Sequence, residues 1–251
     1  MSPAVLAAVL GGLGLVFGSF VAAVSVRLPR EMDVVVERSR CMSCERSLRP
    51  WELIPVLSWL MLRGRCARCR APISRRYPLI ELGAAAIGVW AGSAAPDWPM
   101  AIATAVLGWQ LLLIALVDGE HFWLPDALTW PLAGSGVLAA GLLQGWMGAV
   151  WSMVGLLVGF ASLWLIGRLY RAVRKRDGLG GGDPFLFAGA GAWVGWMGLP
   201  SVLLWASAAG LSVVFAQLVV RRRVSGSDRL PFGVFLAVGI WLTWLYGPLG
   251  A

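Results

Sequence analysis

The sequence predicts an all-α polytopic membrane protein of about eight transmembrane helices with a small cytoplasmic zinc-ribbon-like domain. Three observations predict it. First, 59% of the 251 residues are hydrophobic and only 14% are charged, against roughly 25% charged in soluble domains. Second, all 21 Lys and Arg fall in three stretches: 12 from Arg27 to Arg76, five from Arg168 to Arg176 and four from Arg221 to Arg229. Basic residues confined to alternate loops follow the positive-inside pattern, which puts those loops in the cytoplasm. Third, four cysteines sit inside the first basic stretch. A cytoplasmic, reducing setting favours a metal over disulfides for them. The net charge of +8 therefore reads as topology and contact with anionic lipid, not as a nucleic-acid footprint. The lipid bilayer is an expected partner, and nucleic acid is not.

The elements follow in order. Residues 4–26 form a first span, with no positive segment before it. It reads as an uncleaved helix with its N-terminus outside. Gly11, Gly12, Gly14 and Gly18 allow close helix packing, and Pro29 ends it. Residues 1–26 are thus one unit, residues 27–78 a tetracysteine domain, and residues 79–251 a seven-helix core.

The domain at 27–78 carries Cys41-x2-Cys44 and Cys66-x2-Cys69, with 21 residues between the pairs. That is zinc-ribbon spacing, in which each tight turn aims two thiolates at one ion. A domain this short buries little core, so a metal staple has a physical reason. Four thiolates leave no open position, so the role is structural. Residues 51–60 between the pairs are apolar but too short to cross a bilayer. They are expected to lie at the interface or to pack under the metal site.

The second span covers roughly 79–95 and carries Glu81 near its cytoplasmic end. Pro96-Asp97-Trp98-Pro99 turns the chain outside. The third span, about 100–117, ends at Asp118, with His121 in the loop beyond. The fourth runs to about 143 and the fifth from 147 to 167, ending in a basic loop. The sixth starts near Asp183 and is turned by Gly198-Leu199-Pro200. The seventh, about 201–220, ends at Arg221-Arg222-Arg223. The eighth, about 231–249, opens with Leu230-Pro231-Phe232-Gly233.

Two acids carry the chemistry. Asp118 and Asp183 both lie at cytoplasmic ends of apolar helices. An acid at a membrane boundary is costly to desolvate and marks a functional site. Two carboxylates in one partly dry site share a proton, and can serve as general base on a water and general acid on a carbonyl. Gly180-x-Gly182 before Asp183 lets the backbone approach another strand and adopt positive φ. The plainer alternative is two helix caps, since Asp183-Pro184 is a good helix start.

Taken together, Gly18-Ser19-Phe20, Arg27-Leu28-Pro29, the two cysteine pairs, Ile54-Pro55-Val56, Arg76-Tyr77-Pro78-Leu79-Ile80-Glu81, Asp118, Leu124-Pro125-Asp126, Gly180-x-Gly182-Asp183 and Leu230-Pro231-Phe232-Gly233 carry a resemblance in their order and spacing. The chain resembles the type IV prepilin peptidases, GxGD-type membrane aspartyl proteases, over nearly its whole length. The resemblance implies an aspartic endopeptidase with Asp118 and Asp183 as its catalytic pair, Gly180 and Gly182 supporting the motif, and Asp126 as a helix cap. It implies prepilin or type II secretion pseudopilin substrates, cut at the cytoplasmic face of a bacterial inner membrane. It also implies N-methylation of the new N-terminus from S-adenosylmethionine, with Glu81 a candidate for the methyl-transfer site. Ala22 and Phe185 depart from the family pattern, which usually has Asn and Lys there. They keep open an alternative reading: a catalytically altered assembly factor that docks partners through its zinc domain. The sequence does not give the oligomeric state.

Overall fold

A computed structural model describes residues 2–33, 38–176, 178–221 and 230–250. About 77% of the described residues are helical, and there is no strand among them. The helices are α1 (Pro3–Arg27), the short α2 (Leu57–Met61), α3 (Arg76–Ala94), α4 (Trp98–His121), α5 (Asp126–Arg174), α6 (Asp183–Arg221) and α7 (Phe232–Tyr246). Four of these elements are long and apolar enough to cross a membrane: Pro3–Arg30, Trp98–His121, Asp126–Arg174 and Asp183–Val220. The chain forms two compact units, Met1–Leu113 and Ile114–Ala251.

In the first unit α1 opens with Pro3 behind a Ser2 cap, whose Oγ accepts the Val5 N–H. Its small residues then meet those of α3. A Cβ at Gly14 would strike the Ala84–Ala85 backbone, and one at Gly18 would strike Glu81. Apolar helices gain nothing from the hydrophobic effect inside lipid, so close backbone contact at small residues is what joins them. The first part of α4 closes the cluster. Trp109 donates to the Ala84 carbonyl at 2.8 Å and stacks on Phe17 with ring centroids 4.6 Å apart.

In the second unit two glycines break the long helices. Gly145 in α5 takes φ 76°, ψ −172°, and Gly195 in α6 takes φ 69°, ψ 171°. This region is open essentially to glycine alone. At Gly145 the chain doubles back: a Cβ on Gly141 would lie 3.5 Å from the Ala149 Cβ, whereas residues eight apart in one straight helix are about 12 Å apart. The second half of α5 and the first of α6 pack glycine on glycine at Gly155 and Gly191, with Ser152 donating to the Ala192 carbonyl. Trp193 donates to the Leu132 carbonyl at 2.9 Å, which ties in the first half of α5. The second half of α6 packs on α7, Gly239 against Val202.

Several boundaries differ from the sequence expectation. The sixth helix is broken at Gly195, and Gly198-Leu199-Pro200 is helical. Gly195 can enter the region that turns the chain, while Pro200 is tolerated near the start of the segment that follows. Helix α4 continues past Asp118, so His121 is its last residue and not a loop residue. Helix α5 continues through Arg168, Arg171 and Arg174, so most of the second basic loop is helix. Cations are favoured at a helix C-terminus, and charge alone does not end a helix. Of the third basic stretch, Arg222, Arg223 and Arg229 lie outside the described residues.

Candidate active site and metal centre

Asp118 stands in the last turn of α4 and Asp183 is the first residue of α6. Both are buried, with 5% and 4% of their surface exposed. Each is held by backbone donors. The Val234 N–H donates to Asp118 Oδ2 at 3.1 Å, and the Gly233 N–H donates to the same carboxylate. The Gly180 N–H donates to Asp183 Oδ2 at 2.8 Å, while the Asp183 N–H returns to the Gly180 carbonyl at 3.2 Å. The two carboxyls are near enough for their charges to interact.

This differs from helix capping as usually built. A capping acid precedes its helix and accepts from the residues after it. Asp183 instead accepts from Gly180, three residues before it, and Asp118 sits at the wrong end of its own helix to cap it. What Asp118 does serve is α7, whose Pro231 N-cap brings no side-chain bond of its own. Asp126, at the first position of α5, is exposed.

Leu124 packs against the glycine next to Asp183 and the glycine beside Asp118. A Cβ added to Gly182 would come within 2.6 Å of the Leu124 Cβ and carbonyl oxygen. A Cβ added to Gly233 would come within 2.8 Å of Asp118 Oδ2 and 2.9 Å of Leu124 Cδ1. The glycines before Asp183 thus serve close approach. Positive φ, expected from the sequence, is absent at Gly180, Gly181 and Gly182. The reason is that the loop already enters α6 with ordinary backbone angles and lacks only room beside Leu124. The roles of Leu124, Gly233 and Val234 were missed from sequence. The available signal was Leu230-Pro231-Phe232-Gly233, a helix start with no capping side chain and hence with N–H groups in need of an acceptor.

Phe185, where the family pattern usually has Lys, packs against Phe160 and Trp130, with centroids 5.1 and 6.3 Å away. These rings line an apolar cavity of about 210 Å³. His121 is exposed, 3.9 Å from Glu120.

In the first unit Glu81 is buried and accepts the Val56 N–H at 2.7 Å; Ser19 also bonds its carboxylate. Arg76 donates to Ser25 Oγ at 2.9 Å, beside the buried Ala22.

The four cysteines converge, with all Sγ atoms within 4.8 Å of one another. The two turns repeat each other. The Cys41 N–H reaches the Arg46 carbonyl as the Cys66 N–H reaches that of Ala71, and the Glu45 and Arg70 N–H groups return to the carbonyls of Cys41 and Cys66. Each turn is closed by a bridge, Arg40 to Ser47 and Arg65 to Pro72. Glu45 and Arg70 hold the left-handed position, at φ 52° and 60°. The Cys41 and Cys69 sulfurs are 3.8 Å apart. Tetrahedral coordination with bonds of about 2.3 Å puts sulfurs about 3.8 Å apart, so the donor set fits a metal ion. The Cys69 and Arg68 N–H groups hold the Cys66 thiol down to about 6. The Arg46 guanidinium pairs with Glu52 and lies beside Cys66.

Comparison with known proteins agrees with the all-helical membrane protein that this architecture defines. Residues 13–94 match the bacterial peptidase A24 N-terminal domain, and residues 105–215 match the type IV leader peptidase family. The chain is 36% identical to a prepilin leader peptidase/N-methyltransferase of Stutzerimonas stutzeri, covering 94% of this chain and 89% of the relative. It is 38% identical to one from Burkholderia pseudomallei (94% and 84% covered), and 35% identical to a type 4 prepilin-like proteins leader peptide-processing enzyme of Escherichia coli (90% and 88% covered). No solved structure gives a significant match. The chain belongs to the type IV leader peptidase family.

Proposed function

We infer that this protein is a membrane-embedded aspartyl endopeptidase. It removes the leader of type IV prepilins or type II secretion pseudopilins and N-methylates the new N-terminus. The observation that carries the reading is the buried pair Asp118 and Asp183, each held by a backbone N–H and both beside Leu124. Family membership and the names of the relatives support the substrate class.

In this reading the two carboxyls hold one proton and one water between them. The ionised acid takes a proton from the water, whose oxygen attacks the scissile carbonyl carbon. The protonated acid gives its proton to the carbonyl oxygen. The resulting diol collapses: one hydroxyl returns its proton to the carboxylate that gave one up, the C–N bond breaks, and the amine leaves with the proton taken from the water. Gly180 and Gly182 support the loop that carries Asp183. The four thiolates hold a structural zinc, which closes the 27–78 segment and contributes no step. S-adenosylmethionine is the methyl donor, and Glu81 is the candidate acid for that reaction.

The spans are α1, α3, α4, the two segments each of α5 and α6, and α7: eight, with the N-terminus outside and the acids at the cytoplasmic face of the bacterial inner membrane. Positive-inside charge and the breaks at Gly145 and Gly195 support this count. Co-expression with a prepilin and intact-mass analysis of the product tests the function: leader loss and a methyl group are expected together. An unprocessed prepilin in cells that make the folded protein would favour the assembly-factor reading.

A further inference from the structure

Between the two cysteine turns, six apolar side chains stand exposed within eleven residues: Trp51, Leu53, Ile54, Leu57, Leu60 and Met61. Leu57, Leu60 and Met61 share one face of α2, at the spacing of one helical stripe. Trp59 turns the other way. Its Nε1 donates to the Ile73 carbonyl at 3.1 Å, and its ring covers Gly64. A surface helix in water shows polar residues outward; this one shows apolar residues outward, with Met61 82% exposed.

The depth of the segment is fixed by one hydrogen bond. Pro55-Val56-Leu57 is a γ-turn: the Leu57 N–H reaches the Pro55 carbonyl at 2.6 Å, with Val56 at φ 60°, ψ −51°. This turn is strained, more so for a β-branched residue. It directs the Val56 N–H onto Glu81 Oε2 at 2.7 Å. Glu81 lies in the second turn of α3, at the level where α3 meets Gly18 of α1. At that level the outward residues are Phe20 of α1 and Leu79 and Leu82 of α3, all exposed and apolar. Segment 50–61 is therefore held beside the part of α1 and α3 whose outer surface is apolar. Cations flank it: Arg49 lies 5.2 Å over the Trp51 ring, and Arg63 follows the stripe and is exposed.

The geometry points to residues 50–63 as an in-plane membrane anchor. The apolar stripe enters the boundary between headgroups and acyl chains, and Arg49 and Arg63 meet anionic lipid headgroups. The anchor rests on the reading of α1 and α3 as membrane-spanning. Its consequence is that the metal-binding turns on either side of the segment are held against the bilayer surface.

The test uses the full-length protein carrying 5-fluorotryptophan, in nanodiscs of phosphatidylglycerol and phosphatidylcholine. Trp51 and Trp90 resonances are assigned with Trp51→Phe and Trp90→Phe. Trp90 lies nine residues beyond Glu81, about 14 Å along α3, and reports on the span itself. Spin-labelled acyl chains are expected to broaden both signals, and a soluble paramagnetic agent neither. Broadening of Trp90 by lipid with Trp51 reached only by the soluble agent, or by neither probe, overturns the anchor and leaves the span intact. A Trp90 signal untouched by lipid overturns the spanning reading. In discs of phosphatidylcholine alone, weaker lipid broadening of Trp51 is expected; equal broadening overturns the headgroup contact. Leu57→Asp with Met61→Asp is expected to expose Trp51 to the soluble agent, and an unchanged Trp51 signal counts against the stripe.

Discussion

Asp118 Oδ2 accepts the Val234 N–H at 3.1 Å, across 116 residues of chain. Each partner answers a local defect in the other. A carboxylate in the last turn of a helix opposes the macrodipole, and α7 begins with free N–H groups and no capping side chain. Bringing the two together satisfies both and fixes the carboxylate at one point.

Gly233 is the residue that leaves room for this contact. In Gly233→Ala the new Cβ would sit 2.8 Å from Asp118 Oδ2, and the mobile atom there is the carboxylate itself. Displacements of about 1 Å at reacting groups cost about 100-fold in rate. Prepilin cleavage by Gly233→Ala is expected to fall by that order, with helix content by circular dichroism unchanged.

The three glycines before Asp183 are not equivalent. A Cβ at Gly182 would meet the Leu124 backbone at 2.6 Å, while nothing lies within 4 Å of one at Gly181. Gly182→Ala is expected to lose about 100-fold in cleavage rate, and Gly181→Ala to stay within about twofold of the parent. Equal losses in the two variants would remove close approach as the reason for the motif.

Asp118→Asn and Asp183→Asn are each expected to lower cleavage by at least about 10²–10⁴-fold, the worth of a general acid or base. Groups acting as one unit are non-additive. The double variant should therefore be about as slow as the slower single one. Losses that multiply in single-turnover assays would mean the acids act separately.

Metal content tests the cysteine cluster. Cys66→Ser is expected to reduce bound metal, measured by elemental analysis, from about one equivalent to near zero. It should also open the 38–76 segment to proteolysis. Arg46→Ala removes the guanidinium beside Cys66 and is expected to weaken metal binding by about 10–100-fold in competition with a chelator. Unchanged affinity would leave Arg46 with only its Glu52 pairing.

The breaks at Gly145 and Gly195 should tolerate no side chain. Gly145→Ala forces alanine to φ 76°, ψ −172° and is expected to cost about 1–3 kcal/mol, read as a lower melting temperature in detergent. Gly134→Ala, an α5 position with open space around it, is the control and should not destabilise.

Much of this was legible in the chain itself. Hydropathy and the clustering of Lys and Arg gave the helical membrane class, because the bilayer imposes the same requirement on every span regardless of its neighbours. C-x2-C spacing gave the two cysteine turns, because a turn of four residues is local. The two acids stood out because a carboxylate at the end of an apolar run is costly wherever it points. The continuations of α4 and α5 were not legible. Nothing in Gly119-Glu120-His121 or in the arginines after Gly167 forbids a helix, and where the chain leaves it depends on what it meets next. Gly195 was hidden among neighbouring glycines, since nothing local to Gly191, Gly195 and Gly198 says which of them leaves the helical region.

The sequence by itself determined the helical membrane class, the two cysteine turns and the two acids at the ends of apolar helices, since each follows from residue chemistry and short spacing. Only the tertiary structure decided that Asp118 is held by the start of α7, that Leu124 lies between the loop of Asp183 and the glycine beside Asp118, and that Val56 is tied to Glu81. Those are contacts between residues far apart in the chain, fixed by which backbones can approach closely enough to touch, and no local pattern encodes that distance.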